Sequence, residues 1–159
     1  MMDPPLLLPL PDLAATRALG RRLLGWLRPG DVVGLRGGLG AGKTELARAV
    51  IRAALGPDEE VPSPTFTLVQ TYELEDATLW HYDLYRLEAP DDALELGIEE
   101  AFAGGIVLIE WPERLGGWLP AERLDVTLAP TGRGDERTAE LAGRGTGWSA
   151  RMRQFGGPT

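Results

Sequence analysis

Hydrophobic residues in this chain follow a helical period in some segments and the shorter period of strands in others. An apolar run at 6–10 predicts a short strand, and apolar positions between Ala15 and Trp26 recur at helical spacing. Asp12 stands just before this helix and is placed to cap its first turn, and Pro29-Gly30 ends it. The chain therefore opens with a strand followed by an amphipathic helix.

A second strand and helix follow at once. Residues 32–35 form a short apolar run typical of a buried strand, and Lys43–Leu55 shows a helical period. Gly56 follows that helix and is predicted to end it as a left-handed cap. The segment that joins this strand to this helix is rich in glycine.

The rest of the chain predicts a hairpin, a broken helical region and three further strands. The hairpin turns near Glu75-Asp76, and Gly97 divides the helical region because glycine disfavours a continuous helix. The first of the three strands is apolar throughout, so it is predicted to be buried on both faces. The predicted bounds are 67–73 and 79–85 for the hairpin arms, 90–102 for the helical region, and 106–109, 124–128 and 137–141 for the strands.

The glycine-rich turn matches the pattern Gly-x-x-x-x-Gly-Lys-Thr of a phosphate-binding loop. Its glycines, Gly38 among them, are expected to take positive φ and to bring backbone N–H groups against phosphate oxygens. Lys43 is expected to reach the β- and γ-phosphates, and the Thr44 hydroxyl to be one ligand of Mg²⁺. The predicted nucleotide-binding residues of the loop are Gly37, Gly38, Leu39, Gly40, Ala41, Gly42, Lys43 and Thr44.

The basic composition supports this interpretation. Lys43 is the only lysine in the chain, and the fifteen other basic residues are all arginine. The preference for arginine thus stops at the position where a compact ammonium suits a phosphate pocket better than a planar guanidinium. The motif also stands between a predicted strand and a predicted helix, which is the context that it requires.

These elements predict an α/β fold: a single-domain P-loop NTPase-like fold of three layers, with a mixed central sheet flanked by helices. At 159 residues the chain is long enough for one domain with a substantial core. The P-loop domain is assigned to residues 1–147. Residues 148–159 contain several glycines and arginines and are expected to form a frayed, flexible tail.

Composition narrows the chemistry further. The chain has no cysteine and a single histidine, which excludes disulfides, thiolate nucleophiles and histidine-rich metal sites. The apolar run near the N-terminus is too short to span a membrane, so a cytoplasmic protein with no membrane contact is expected. The net charge of −8 would repel a nucleic-acid backbone, so a partner is expected to hold any nucleic acid.

Two carboxylates are candidates to complement the loop, since Mg²⁺ needs more oxygen ligands than one hydroxyl. Glu110 follows the buried strand at 106–109, and Asp83 follows the alternating strand of the hairpin. An acid in either position is often only the solvated end of a strand, but a neighbouring phosphate loop favours a function for both. His81, by contrast, is predicted to be a structural residue of its strand.

The whole set of residues resembles the TsaE family, the small ATPases of bacterial tRNA threonylcarbamoyladenosine synthesis. The phosphate loop alone is shared by many families, but the combination of segments in this order is specific, and it spans most of the chain. The segments are Leu10-Pro11-Asp12, Gly40-Ala41-Gly42-Lys43-Thr44, Ser63-Pro64-Thr65-Phe66-Thr67-Leu68-Val69, His81-Tyr82-Asp83-Leu84-Tyr85-Arg86-Leu87 and Ile109-Glu110-Trp111-Pro112-Glu113.

The resemblance assigns roles to particular residues. It implies that Thr44 and Glu110 hold Mg²⁺ and that Asp83 is needed for ATP hydrolysis, in which Lys43 also takes part. It implies that residues 63–66, and Thr65 within them, act as a switch loop that senses the nucleotide.

A late nucleotide contact of the family falls in the segment from Thr131 to Arg137, which points to Arg133. The chain departs from the family at Gly38, where aspartate is common, and at Glu45, where a second threonine is common.

The resemblance also implies partners. TsaE proteins work with the TsaD and TsaB subunits, and ATP turnover is thought to reset the complex between rounds of modification of adenosine 37. The tRNAs concerned read codons that begin with A. On this interpretation the chain contacts tRNA only indirectly, through the complex.

Two other functions share parts of the pattern. A small-molecule kinase would have the same loop, and Arg133, Arg137 and Arg144 could form its lid. A nucleotide-dependent assembly factor would bind ATP without needing to hydrolyse it. A GTP-dependent switch is disfavoured because its guanine-reading motif needs a second lysine, and the chain has none.

Overall fold

The structure, a computed structural model, describes residues 4–155 and is built on one seven-stranded sheet. The strands are β1 (Leu6–Leu10), β2 (Val32–Arg36), β3 (Val69–Glu73), β4 (Thr78–Asp83), β5 (Ile106–Glu110), β6 (Arg123–Pro130) and β7 (Arg137–Arg144). Their order in the sheet is β1-β7-β6-β2-β5-β4-β3. The four central strands pair in parallel and the remaining pairs are antiparallel, so the sheet is mixed, as predicted.

Helices cover both faces of the sheet and complete the three predicted layers. One face carries α1 (Leu13–Trp26), α2 (Lys43–Leu55) and α4 (Thr146–Phe155), and the other carries α3 (Ile98–Gly104) with two 3₁₀ segments, Pro90–Leu96 and Pro112–Trp118. Strand side chains alternate between the two cores: Leu108 packs on the first face, and Val107 and Ile109 on the second. Within the described residues, no helix is both long and apolar enough to cross a membrane.

Local signals set most of the element boundaries. Asp12 caps α1, and its Oδ1 accepts a hydrogen bond of 2.8 Å from the N–H of Ala15. Gly97 divides the helical region in a left-handed conformation, with φ 72° and ψ 26°. Gly56 does end α2, but with φ 127° and ψ 151° it is not the left-handed cap that the sequence predicts. The first hairpin arm begins at Val69 instead of position 67, because Leu68 takes a left-handed φ of 69° and interrupts the strand.

The prediction of a frayed tail from residue 148 is wrong for the part of that segment that the structure describes. Residues 146–155 form α4, in which Trp148, Met152 and Phe155 are buried. Trp26 of α1 packs edge-on against Trp148, with ring centroids 5.3 Å apart, and against Phe155 at 4.3 Å. Residues 156–159 lie outside the described part of the chain.

A partly buried ion pair holds α4 against the rest of the fold. The guanidinium of Arg151 binds both carboxylate oxygens of Asp31, at 2.8 and 2.9 Å, and lies over the ring of Trp148 at 3.9 Å. The glycines and arginines of this segment led to the prediction of a tail. Arg151, however, binds Asp31, which lies 120 residues away in the sequence, and no local pattern reveals such a partner.

We expect Trp148→Ala to lower the free energy of unfolding by about 3–5 kcal/mol, because it leaves a cavity under α4. Urea denaturation followed by circular dichroism measures the change. Phe66→Ala is the control, since Phe66 is 79% exposed and its loss is expected to cost about 1 kcal/mol or less. Equal effects of the two substitutions would contradict the docking of α4.

Candidate functional site

The loop between β2 and α2 has the backbone of an anion-binding turn. Gly37, Gly40 and Gly42 take positive φ angles of 139°, 76° and 103°. At Gly37 a Cβ would lie 2.4 Å from the carbonyl oxygen of Leu128, so only glycine fits there. Gly38 does not take positive φ and has open space around it, so the prediction for its backbone is wrong.

The start of α2 adds backbone donors to this loop. Gly42 is the N-cap of α2, and no side chain caps the helix. The first N–H groups of any helix lack acceptors within that helix, and they carry the positive end of its dipole. The N-terminus of α2 is thus directed at the loop with donors that suit a phosphate.

Lys43 is a buried cation held by its own loop. Lys43 is only 5% exposed, and its Nζ donates hydrogen bonds to the carbonyl oxygens of Gly37 and Gly38. Within residues 4–155, no carboxylate oxygen lies within 4.0 Å of Nζ. Burial lowers the pKa of the Lys43 ammonium from its usual value, and the charge of Glu110 partly opposes that shift. The arrangement suits a ligand that brings its own negative charge.

Glu110 ends β5 and is bound from both sides. The residue is 2% exposed, its Oε1 accepts a hydrogen bond of 2.7 Å from Thr44 Oγ1, and its Oε2 lies 2.7 Å from His81 Nε2. His81 is fully buried in β4, so its packing agrees with the structural role predicted for it, but its contact with Glu110 was not foreseen. The pair of oxygens on Thr44 and Glu110 is the part of the site that could hold a metal ion.

Asp83 lies beside Glu110, because the two residues are partners in the parallel pairing of β4 and β5. It is 5% exposed and accepts two hydrogen bonds of 3.1 Å, one from Thr65 Oγ1 and one from the N–H of Tyr85. Thr65 in turn lies 2.7 Å from Ser63 through their hydroxyl oxygens. The segment that the resemblance names as a switch loop therefore contacts Asp83 directly.

Trp111 covers Lys43, which the sequence gave no reason to expect. Its ring lies 3.8 Å from Lys43 Nζ and 5.0 Å from the ring of Tyr85. Trp111 has φ 60° and ψ 53°, a left-handed conformation that costs about 1–2 kcal/mol for a residue other than glycine. Strained backbone of this kind is common at functional sites, so the conformation of Trp111 makes this end of β5 a candidate site.

Arg137 supports the loop from β7. Its guanidinium donates to the carbonyl oxygen of Ala41 at 3.0 Å and to that of Gly40 at 3.2 Å. Arg133, which the resemblance suggested as a nucleotide contact, is exposed and does not line the pocket described next. The structure therefore brings Arg137, and not Arg133, to the phosphate loop.

These residues line one cleft of about 330 Å³ at the carboxyl end of the central strands. Its wall contains residues 39–42 of the loop and the side chains of Lys43, Thr44, Thr65, Asp83, Glu110 and Arg137. Gly37 and Gly38, which the sequence predicts as nucleotide-binding, do not line it. Thr16 of α1 also lines it, and the hydroxyl of Thr16 is buried without a hydrogen-bond partner among the described residues. A buried, unpaired hydroxyl in the wall of a cleft is a candidate ligand contact, because leaving it unpaired is costly.

No cluster of three or more histidine, cysteine, aspartate or glutamate side chains that could hold a metal occurs within residues 4–155. A metal at this site would therefore need ligands from outside the protein beside Thr44 and Glu110. Mg²⁺ bound with a nucleotide meets that condition, since it commonly takes only one or two protein ligands and fills the rest with phosphate oxygens and water.

Known proteins with similar sequences agree on one family. The family model "TsaE: Threonylcarbamoyl adenosine biosynthesis protein TsaE" matches residues 10–139. A curated relative from Rickettsia felis, named tRNA threonylcarbamoyladenosine biosynthesis protein TsaE, is 44% identical over 113 residues, which are 71% of this chain and 66% of the relative. A Bacillus subtilis relative of the same name is 39% identical over 123 residues, with coverage of 77% and 75%.

Two further facts qualify the extent of this similarity. The matched part spans just under two thirds of the relatives from Rickettsia felis and Rickettsia conorii, 66% and 65% of their lengths. A solved structure, the crystal structure of Bacillus subtilis YdiB, superposes with a TM-score of 0.79 at 27% identity and covers 98% of this chain and 95% of that one. The fold is therefore shared over the whole described domain.

We expect Thr16→Val to separate ligand binding from stability. Valine has nearly the same shape and removes only the unpaired hydroxyl, so the melting temperature should stay unchanged or rise. If the hydroxyl contacts a bound nucleotide, the affinity for ATP should fall about two- to tenfold, the worth of one hydrogen bond. Thermal denaturation and calorimetric titration measure the two effects, and unchanged affinity would remove Thr16 from the site.

Proposed function

The chain belongs to the TsaE family of threonylcarbamoyl adenosine biosynthesis proteins, and on that premise we propose that it is the ATP-binding and ATP-hydrolysing subunit of a tRNA-modifying complex. The modification is the threonylcarbamoyl group on adenosine 37 of tRNAs that read codons beginning with A. The observation that carries this proposal is the meeting of the phosphate loop with Glu110 and Asp83 in one cleft. We also infer that the protein acts in the cytoplasm.

ATP would be held mainly by backbone and by one charge. The N–H groups of the loop and of the first turn of α2 would bind the phosphate oxygens, which need donors and no bulky side chain nearby. Lys43 already stands at the loop and would give its charge to the β- and γ-phosphates. Arg137 keeps the loop in this shape through its bonds to Gly40 and Ala41.

The residues present fit a magnesium ion. Thr44 Oγ1 and Glu110 Oε1 are two oxygen donors only 2.7 Å apart, at the edge of the cleft next to the phosphate loop. When bound there, Mg²⁺ would neutralise charge on the phosphates. His81 would act on the same group indirectly, because its hydrogen bond to Oε2 fixes the orientation of the Glu110 carboxylate.

Hydrolysis would rest on Asp83. Its carboxylate is held by Thr65 and by the backbone of Tyr85, so it is oriented before any ligand binds. From the cleft wall it could accept a hydrogen bond from the attacking water and hold that water in line with the γ-phosphate. Thr65 would couple the segment 63–66 to this carboxylate, which gives that segment a physical link to the state of the nucleotide.

The TsaD and TsaB subunits are the proposed partners, and the mouth of the cleft is the proposed contact. Phe66 is 79% exposed and Leu39 is 72% exposed, although both are large apolar residues. Arg86 lies over the ring of Phe66 at 4.4 Å. Exposed apolar side chains of this size next to a binding site are typical of a protein contact. The protein would then contact tRNA only through these partner subunits.

A small-molecule kinase fits the structure less well. Its lid would need arginines that are free to close over a nucleotide. Of the three arginines named for such a lid, Arg137 is bound to the loop carbonyls and Arg144 binds the buried carboxylate of Asp125 at 3.2 Å on β6. Arg133 is exposed, but it does not line the cleft. An assembly factor that needs no hydrolysis is distinguished from an ATPase by the substitutions described below.

We expect Lys43→Ala to weaken ATP binding about tenfold or more, because it removes a charge-assisted contact worth roughly 1.5–3 kcal/mol. In a reconstituted assay with TsaD, TsaB, ATP and tRNA, the variant should not restore threonylcarbamoyl modification. Calorimetric titration and mass spectrometry of the tRNA nucleosides measure the two results. Lys43→Arg is the matched variant that keeps the charge, and it should remain impaired because guanidinium has a different shape.

The proposed function is contradicted if Lys43→Ala binds ATP as the unchanged protein does, or if tRNA modification proceeds normally with this variant. Transfer of phosphate from ATP to a small acceptor, instead of release of free phosphate, would favour the kinase.

We expect Glu110→Gln and Asp83→Asn to fail in different ways. Glu110→Gln should make ATP binding less dependent on Mg²⁺ and turnover poor. Asp83→Asn should keep ATP bound but stop hydrolysis, since a group that positions water acts mainly on the transition state. Phosphate release and titrations with and without Mg²⁺ measure both.

Glu99→Gln is the control for these substitutions, because Glu99 is exposed on α3 and does not line the cleft. It should change neither binding nor turnover appreciably. The same loss of ATP affinity in the Glu110 and Asp83 variants would contradict the separate roles. An Asp83→Asn variant that still supports tRNA modification would favour the assembly factor.

A further inference from the structure

Charge is distributed very unevenly along this acidic chain. Residues 13–55, which include α1 and α2, contain eight basic residues and two acidic ones, whereas the rest of the chain contains eight basic and twenty-two acidic residues. Both acids of the basic segment are already engaged: Asp31 pairs with Arg151, and Glu45 pairs with Arg48. One helical layer of a protein with net charge −8 is therefore positive.

Three arginines of this segment line a groove on the outer side of α1 and α2, and the acidic residues 58–60 follow the end of the groove at Pro57. The two helices meet closely at Gly20, where a Cβ would lie 2.4 Å from that of Ala49. Beside this contact runs a groove of about 390 Å³. Its lining residues are Arg17, Arg21, Ala49, Arg52, Ala53, Gly56 and Pro57.

The groove has an apolar floor and a basic rim. The floor consists of the small side chains of Ala49 and Ala53, with Pro57 at one end. Arg17 and Arg21 are exposed, and within residues 4–155 no carboxylate lies within 4.0 Å of either guanidinium. Arg52 is held at the rim by a hydrogen bond of 3.2 Å from its Nε to the carbonyl oxygen of Glu59.

We propose that this groove binds an acidic segment of a partner protein, which places carboxylates on Arg17, Arg21 and Arg52 and inserts an apolar side chain between them. Guanidinium groups bind carboxylates in a bidentate manner, and a rim of three arginines around one pocket matches acids spaced on one helix face. The apolar floor distinguishes this occupant from nucleic acid. A phosphate backbone has no group to fill such a floor, and the groove lining offers no aromatic ring on which a base could stack.

The groove is separate from the nucleotide site. No residue lines both the groove and the ATP cleft. In α2 the groove residue Ala49 is six residues from Lys43, or about 9 Å along the helix axis. In α1 the groove residue Arg17 follows Thr16 of the cleft, but successive side chains of a helix point about 100° apart. Binding at the groove should therefore proceed with or without nucleotide, unlike a contact at the mouth of the cleft.

The test uses a short fluorescent peptide of glutamate and leucine, titrated with the whole protein and followed by anisotropy. We expect Arg17→Glu combined with Arg21→Glu to weaken binding about tenfold, because each reversal removes an attraction and adds a repulsion. Arg28→Glu is the matched control: Arg28 is exposed in the same basic segment but does not line the groove, and this variant should bind within about twofold of the unchanged protein. Replacing glutamate in the peptide by glutamine, or leucine by serine, should also weaken binding.

Thermal denaturation and ATP titration of each variant show that fold and nucleotide site are intact. Equal losses in the Arg17/Arg21 and Arg28 variants, or no binding by the unchanged protein at low salt, would overturn the proposal. A short RNA hairpin that binds more tightly than the peptide and depends on the same arginines would also overturn it, because the occupant would then be nucleic acid. ATP binding is measured in the same samples, so failure here leaves the proposed ATPase function unaffected.

Discussion

The parallel pairing of β4, β5 and β2 is the constraint on which the candidate site depends. This pairing sets Asp83 opposite Glu110, and Glu110 opposite Leu35, the residue next to the end of β2. The phosphate loop leaves β2 at the same edge, so the loop, the carboxylate beside it and the carboxylate of the next strand converge. A shift of one residue in β5 would turn the Glu110 side chain to the other face of the sheet.

In the site, both carboxylates have hydrogen-bond partners, whereas the Lys43 ammonium has no carboxylate in direct contact. Glu110 is bound by Thr44 and lies against His81, and Asp83 is bound by Thr65 and the backbone of Tyr85. Lys43 is bound only by neutral carbonyl groups and lies against the ring of Trp111. A buried cation surrounded in this way favours an anionic ligand, because binding supplies the opposite charge without first breaking an ion pair.

The two surfaces proposed for partners differ in their chemistry. The mouth of the cleft presents exposed apolar side chains, Phe66 and Leu39, on segments next to the proposed nucleotide site. The groove between α1 and α2 presents arginines around alanine, on helices that pack firmly on the sheet. A partner bound at the mouth of the cleft would respond to the bound nucleotide, whereas a partner bound in the groove would stay bound with any nucleotide.

Much of this protein is determined by its sequence because the signals concerned are local. The helix Lys43–Leu55, the cap at Asp12 and the break at Gly97 depend on residues within a few positions of one another, and the structure agrees with them. The resemblance to a family was also carried by short segments, and the family match agrees with it.

Only the tertiary structure decided the features that join distant residues. Trp148 is buried because Trp26 and Arg151 surround it, although its own segment looks like a tail. His81 contacts Glu110 and Arg137 supports the loop because strands far apart in sequence are neighbours in the sheet. The sequence by itself names the residue types that bind phosphate, but the register of the strands decides which of the distant carboxylates, arginines and hydroxyls lie close enough to take part, because hydrogen bonds act only over about 3 Å.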